Sequence, residues 1–190
     1  PEKITGVCLH QTAIRYALAP YQIAASQGNE RLARARRALA IPAHAVAFRD
    51  GTICLPHDLT AYCHQANSLN RSTLGLEIEG LYYGVEGNRF TVWRNADPDR
   101  LDDLTIETAR KALRILVVEG RESGMPLQWI WAHRQASRMR RADPGEAIWK
   151  HVAIDYGVKV LGLKTRPAAT LGTGRPIPRQ WQPVGGVGRY

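Results

Sequence analysis

Apolar and polar residues alternate along "STLGLEIEG": Leu74, Leu76 and Ile78 share one side, and Gly75, Glu77 and Glu79 share the other. A period of two predicts a half-buried strand with both carboxylates on its polar face, where solvent exposure is the ordinary fate of such a pair. "ITGVCLHQTA" carries Ile4, Val7 and Leu9 in a β-prone run that delivers His10 to its end, just before polar Gln11 and Thr12. "LQWIWAH" repeats that plan and finishes on His133. Asp50-Gly51 divides the two apolar runs of "AHAVAFRDGTICL", which is a hairpin signal. The period lengthens to three and four in "LTIETARKALRILVVEGRESG", where Ile106, Ala109, Leu113, Leu116 and Val117 line one face of a helix. Asp103 or Thr105 can cap it and Gly124 follows its end. Residues 20 to 40 read as a helix between Pro20 and Pro42, and "DPGEAIWKHVAIDYG" as another with Asp143 at its N-cap and Pro144 in the first helical position. Residues 81 to 103 read as a long loop or small hairpin. Strands interleaved with helices in this order predict an α/β fold, a mixed central β-sheet flanked by helices.

A chain of 190 residues is long enough for one hydrophobic core. The periodic part covers residues 1–163. Residues 164–190 form a basic tail rich in proline and glycine, without a period, either draped on the domain or disordered. No apolar run approaches the roughly 20 residues of a membrane span, and "PEKITGV" has no basic region leading into an apolar stretch, so no secretory signal is expected there. Cys8, Cys54 and Cys63 match neither a zinc ribbon nor a disulfide framework, and buried free thiols are expected. A monomer is expected.

A net charge of +9 attracts polyanions such as nucleic acid, anionic lipid or cell-wall polymer. Arg31, Arg34, Arg36 and Arg37 fall in an alanine-rich helical stretch and read as a solvated face. No nucleic-acid recognition motif accompanies the charge, so nucleic acid is not the expected partner. The second arginine cluster, Arg134, Arg138, Arg140 and Arg141, sits in "WAHRQASRMRRADPG" between a histidine and an aspartate, a segment too polar for core.

His10 and His133 each end a strand, and Asp143 follows ten residues after the second. Two imidazoles and a carboxylate are a reasonable ligand set for tetrahedral zinc with one open vertex, although other first-row metals accept the same donors.

"GVCLHQTA", "AHAVAFRDGTI", "HQANSLNRSTLGLEIEG" and "AHRQASRMRRADPGEAIW" occur in an order and at separations that resemble the zinc-dependent N-acetylmuramoyl-L-alanine amidases. That family includes phage lysozyme-type amidases, cytosolic anhydro-muropeptide amidases and animal peptidoglycan recognition proteins. The resemblance spans roughly residues 4 to 155. It implies zinc held by His10, His133 and Asp143, the third position being cysteine in many relatives. It implies Glu77 as general base. Arg141 stands where lysine commonly stabilises the oxyanion, an exchange that alters reach and shape. His44 and His64 match histidines that do not bind zinc. They are expected either to touch substrate or to be satisfied buried side chains. Arg134 is expected to bind carboxylates of the stem peptide, and Glu79 to support Arg141 or be solvated.

The resemblance thus implies a peptidoglycan hydrolase that cuts between N-acetylmuramic acid and L-alanine, with peptidoglycan or muropeptides as partners. A wall-lytic role outside the cytoplasm is expected from the charge and from the aromatic loop around Tyr82, Tyr83, Phe90 and Trp93. The alternatives are a cytosolic recycling amidase and a non-catalytic peptidoglycan-binding module.

Overall fold

Five strands in the order β3-β2-β4-β1-β5 make one mixed sheet in the computed structural model, which describes residues 2–13, 20–183 and 188–190. They are β1 (Gly6–Gln11), β2 (Ala45–Ala47), β3 (Ile53–Cys54), β4 (Thr73–Ile78) and β5 (Trp129–Ala132). β1, β2, β4 and β5 run parallel, and only β3 is antiparallel, returning from β2 through the Asp50-Gly51 turn. Gly51 has φ +89°, a left-handed conformation that glycine adopts without steric cost. The α/β fold read from the sequence is the fold observed.

Alternation decides what each face of the sheet meets. Val7, Leu9, Leu74, Leu76, Ile78, Ile130 and Ala132 point to one side and share a core with Ala109, Leu113, Leu116 and Val117 of the long helix, Asp103–Glu122. Its N-cap is Asp102, whose carboxylate accepts from Thr105 N–H at 2.8 Å; the cap therefore lies one residue before Asp103 and three before Thr105, the two candidates weighed from sequence. Cys8, Trp131 and Val46 point to the opposite face, which is covered by loop 55–72 and by residues preceding β2. His10 and Glu77, register partners on β1 and β4, belong to this second face.

Residues 20–40 form two helices, α1 (Pro20–Ala24) and α2 (Glu30–Ala38), not the one expected. Gln27 and Gly28 both take positive φ, and Asn29 caps the second helix by accepting from Leu32 N–H. With these as α1 and α2, the long helix is α3, and α4 (Glu146–Ile148) continues in wider π-type turns over Trp149–Val158. Asp143 is not its N-cap: the helix begins at Glu146, and the Asp143 carboxylate turns toward β1 instead. The three cysteines are free; Cys8 and Cys63 are buried and Cys54 half-buried. Among the described residues no helix is long and apolar enough to cross a membrane.

Residues 164–183 lie against the domain. Ile177 and Trp181 are fully buried in the same core as the strands, and Trp181 Nε1 donates to Gly84 O. Removing that indole in Trp181→Ala leaves a large void and an unpaired carbonyl, and should cost about 3–5 kcal/mol. Thermal denaturation should show a melting temperature lower by roughly 6–20 °C. An unchanged melting temperature would mean that the segment adds nothing to the core.

Candidate metal centre

Parallel pairing brings the carboxyl ends of β1, β4 and β5 to one edge of the sheet, the place where open α/β sheets hold ligands. His10 and Glu77 lie near the ends of their strands, and His133 follows β5 directly. Asp143 arrives from a loop closed by the main chain, since Arg134 N–H donates to Asp143 O at 3.1 Å. Its Oδ1 accepts from Gln11 N–H at 2.9 Å, which leaves Oδ2 facing the histidines. Gln11 secures the same loop with its side chain, donating to Ala142 O and accepting from Tyr82 N–H.

The donor atoms that converge are His10 Nδ1, His133 Nδ1 and Asp143 Oδ2. They are separated by 3.0 Å between the imidazoles, 3.1 Å from His133 to Asp143 and 3.8 Å from His10 to Asp143. Donors about 2.1 Å from a tetrahedrally coordinated ion lie about 3.4 Å from one another, so the group has roughly the dimensions of three vertices of such a site. The far side of each ring explains why Nδ1 is the inward atom. Gln65 spends its Nε2 on Thr73 O and Oγ1, so its Oε1 accepts from His10 Nε2 at 2.6 Å. Asn67 Oδ1 lies 3.0 Å from His133 Nε2 and serves that ring in the same way. With both Nε2 atoms donating outward, and neither a proton nor a metal between them, both Nδ1 atoms would present lone pairs to each other and to a carboxylate. A cation among them resolves that repulsion.

Gly75 makes room for this support. A Cβ there would stand 2.7 Å from Gln65 Oε1, so any larger residue would push Gln65 off His10.

The electrostatics favour a positive charge. Burial disfavours protonated His10, yet Cys8, Glu77 and Asp143 outweigh it and lift its proton affinity well above that of ordinary imidazole. Burial also opposes ionisation of Asp143, but hydrogen bonds from His10 and His133 hold its carboxyl below the usual carboxylate range. Burial pushes His133 below ordinary imidazole despite its bond to Asp143, which keeps it neutral as a ligand must be. Glu77 Oε1 is 3.9 Å from His10 Nδ1, and Oε2 is buried with no hydrogen-bond partner. Burial, with the charge of Asp143 adding to it, pushes Glu77 up to about 7 even against His10 and Arg140.

The remaining residues singled out from the sequence lie elsewhere. Arg134 is corrected from a substrate contact to a structural residue. It is fully buried, donates to Pro176 O and Arg141 O, and packs between the rings of Trp181 and Tyr190 at 5.1 and 5.4 Å. His44 takes the second of its two expected roles, a satisfied buried side chain: Nδ1 accepts from Gly75 N–H and Nε2 donates to Ala61 O, so neither nitrogen is left for substrate. His64 is exposed, edge-on to Tyr62, and the next residue, Gln65, is the one that reaches His10. Glu79 does not meet solvent; it is buried and accepts from Arg49 N–H.

Arg141 is exposed and its charge acts on Arg134 and Tyr190. The guanidinium that acts on Glu77 and His133 is that of Arg140, which lies over the Trp93 ring at 5.4 Å and shares a small pocket with Gln11 and Asp143. Of the two arginines, Arg140 is therefore the one whose charge is felt at Glu77 and His133. Gln65, Asn67 and Arg140 were not singled out from the sequence. Amide side chains in an irregular segment carry no period, and adjacent arginines in a loop are indistinguishable until the loop is folded.

Comparison with known proteins bears on this group directly. No curated protein matches the chain. The family model described as N-acetylmuramoyl-L-alanine amidase matches residues 1–146, a stretch that contains His10, Glu77, His133 and Asp143. Strand-end histidines, loop aspartate and neighbouring glutamate thus all fall within the matched part of a peptidoglycan amidase, and the chain belongs to the N-acetylmuramoyl-L-alanine amidase family.

Proposed function

We propose that the protein is a zinc-dependent amidase that hydrolyses the bond between the lactyl carboxyl of N-acetylmuramic acid and the nitrogen of L-alanine, and that it acts on the cell wall outside the cytoplasm. The observation that carries the reading is the convergence of two Nδ1 atoms and one carboxylate oxygen with an unpartnered Glu77 oxygen beside them. Two neutral imidazoles and one carboxylate suit zinc and leave a fourth vertex open, as catalytic sites do. When bound, zinc supplies Lewis acidity, acidifying water and polarising the amide carbonyl.

The chain's own residues supply the rest. Glu77, held in a desolvated position, accepts the proton of the attacking water and passes it to the leaving amine nitrogen. Arg140 offers a permanent charge to the oxyanion that develops on the carbonyl, a contribution of about 3 kcal/mol where such donors have been removed. Gln11 and the main-chain closure of the 134–143 loop hold Asp143 in place. The net charge of +9 supports a polymeric anionic wall as substrate.

Zinc-loaded protein incubated with purified N-acetylmuramoyl-peptides should release peptides with a free L-alanine amino group, detected by mass and by amine labelling. Intact substrate after prolonged incubation with stoichiometric zinc would leave only a binding role. Rates on intact sacculi should exceed those on soluble anhydro-muropeptide at equal bond concentration, and the reverse order would return the protein to wall recycling.

A further inference from the structure

His133 and Asp143 reach the metal-facing group from the two ends of one loop, and three consecutive carbonyls at its far end are each held by a separate donor. Arg134 Nη1 donates to Arg141 O, Gln11 Nε2 to Ala142 O, and Arg134 N–H to Asp143 O at 3.1 Å. Two of these donors belong to Arg134, the residue after His133. Arg134 is itself fixed from behind by the C-terminal segment. Pro176 O accepts from its Nε at 3.0 Å, Trp181 and Tyr190 flank the guanidinium, and Arg175 N–H donates to Arg134 O at 2.7 Å. The next residue repeats the plan: Gln135 Nε2 donates to Arg166 O and Ala169 O at 2.8 and 3.0 Å, and Gln135 O accepts from Leu171 N–H at 2.8 Å. All of these partners lie beyond the matched residues 1–146.

Arg134 is fully buried, and the charges that act on it are those of Tyr190, Arg175 and Arg141, none of them a carboxylate. Burying such a charge is unfavourable, and an apolar side chain would fill the same space at less cost. What the planar fork adds is direction: it fixes Pro176 O on the tail and Arg141 O on the loop at set angles. The contact between tail and loop is also close. A Cβ on Gly174 would overlap Gln135 O and stand 2.8 Å from Ala136 N, both backbone atoms that cannot swing aside.

We propose that the C-terminal segment, acting through Arg134 and Gln135, is a brace that holds His133 and Asp143 at metal-binding distance, so that zinc affinity depends on residues outside the matched part of the chain. The proposal rests on the metal centre described above. Arg134 and Gln135 are positioning residues, since neither contributes a donor atom to the group. Residues 138–141 are exposed, and without the brace Arg141 O loses its donor. Binding constellations tolerate displacements of about 0.5 Å, so support of this kind decides affinity.

Zinc affinity of the full chain, measured by competition with a chromophoric chelator well below the melting temperature, tests the brace. Arg134→Met removes both side-chain donors while still filling the space between the rings. Gly174→Ala changes no residue of the loop and lifts the tail from it. Each should weaken zinc binding about 10- to 100-fold, the loss that follows removal of supports outside a ligand set. Leu116→Ala, which opens a cavity in the core between the long helix and the sheet, should melt lower and yet bind zinc as tightly as the wild type. Wild-type affinity in either Arg134→Met or Gly174→Ala, or an equal loss in Leu116→Ala, overturns the brace while leaving the metal centre intact. Should Arg134→Met fail to fold, Gly174→Ala decides alone. A wild-type chain that binds no zinc overturns the metal centre, and the brace with it.

Discussion

Glu77→Gln is expected to lower kcat by about 10²–10⁴-fold while leaving the metal content of the purified protein unchanged, equivalent to about 3–5 kcal/mol of transition-state stabilisation. The substitution keeps size and shape and removes only the ability to take a proton. Glu77 is suited to that test because its Oε2 supports nothing else: it is buried, has no hydrogen-bond partner and lies on the face shared with His10. A structural carboxylate would give another result, since its loss would show in the melting temperature before it showed in turnover. Single-turnover rates on a defined muropeptide, with metal analysis of the same sample, separate these cases. Retention of a tenth or more of wild-type kcat would remove Glu77 from the chemistry.

Asp143 offers the second large effect, with two variants that come apart. Asp143→Ala removes a donor to the metal and also the acceptor for Gln11 N–H, leaving a buried donor unsatisfied at a cost of about 1–3 kcal/mol. Asp143→Asn keeps an oxygen for Gln11 and replaces the metal-facing carboxylate oxygen by an uncharged amide nitrogen. Both variants should be inactive on muropeptides, but only the alanine variant should melt lower in the metal-free state. Wild-type protein should gain about 2.7 kcal/mol from zinc at a hundredfold excess over its dissociation constant, or roughly 5–11 °C in melting temperature. Neither variant should show that gain. A full zinc-induced rise in Asp143→Asn would mean that the carboxylate is not a ligand.

Much of this arrangement was legible in the sequence, for a physical reason. A strand that must bury one face advertises it with a period of two, and the residue at its end is then placed to within one position. The period placed His10 and His133 at strand ends and Glu77 opposite Leu76, but the face expected to meet solvent is covered, and the part given to Glu77 came from the resemblance. Asp143 was found by its neighbours but misread locally. Asp-Pro ahead of an apolar run is a sound N-cap signal, yet the carboxylate is satisfied by Gln11 and the histidines, and the helix starts later. Arg134 shows the opposite failure: next to a ligand in sequence, it resembles a substrate contact, and only the tail wrapping back as Pro176, Trp181 and Tyr190 shows it to be buried. The single helix read over residues 20–40 broke at Gln27-Gly28 because two left-handed residues cannot continue a right-handed turn. The resemblance pointed to Arg141 rather than Arg140, and no periodicity governs a loop that could have tested that choice.

The supports behind the two imidazoles of the candidate metal centre are carboxamides, Gln65 and Asn67. A carboxylate in that position pulls on the Nε2 proton and makes the ring a stronger electron donor; an amide oxygen orients the ring without doing so. A dication held by this group would meet only the single negative charge of Asp143, and its electrophilic character would be left largely undamped.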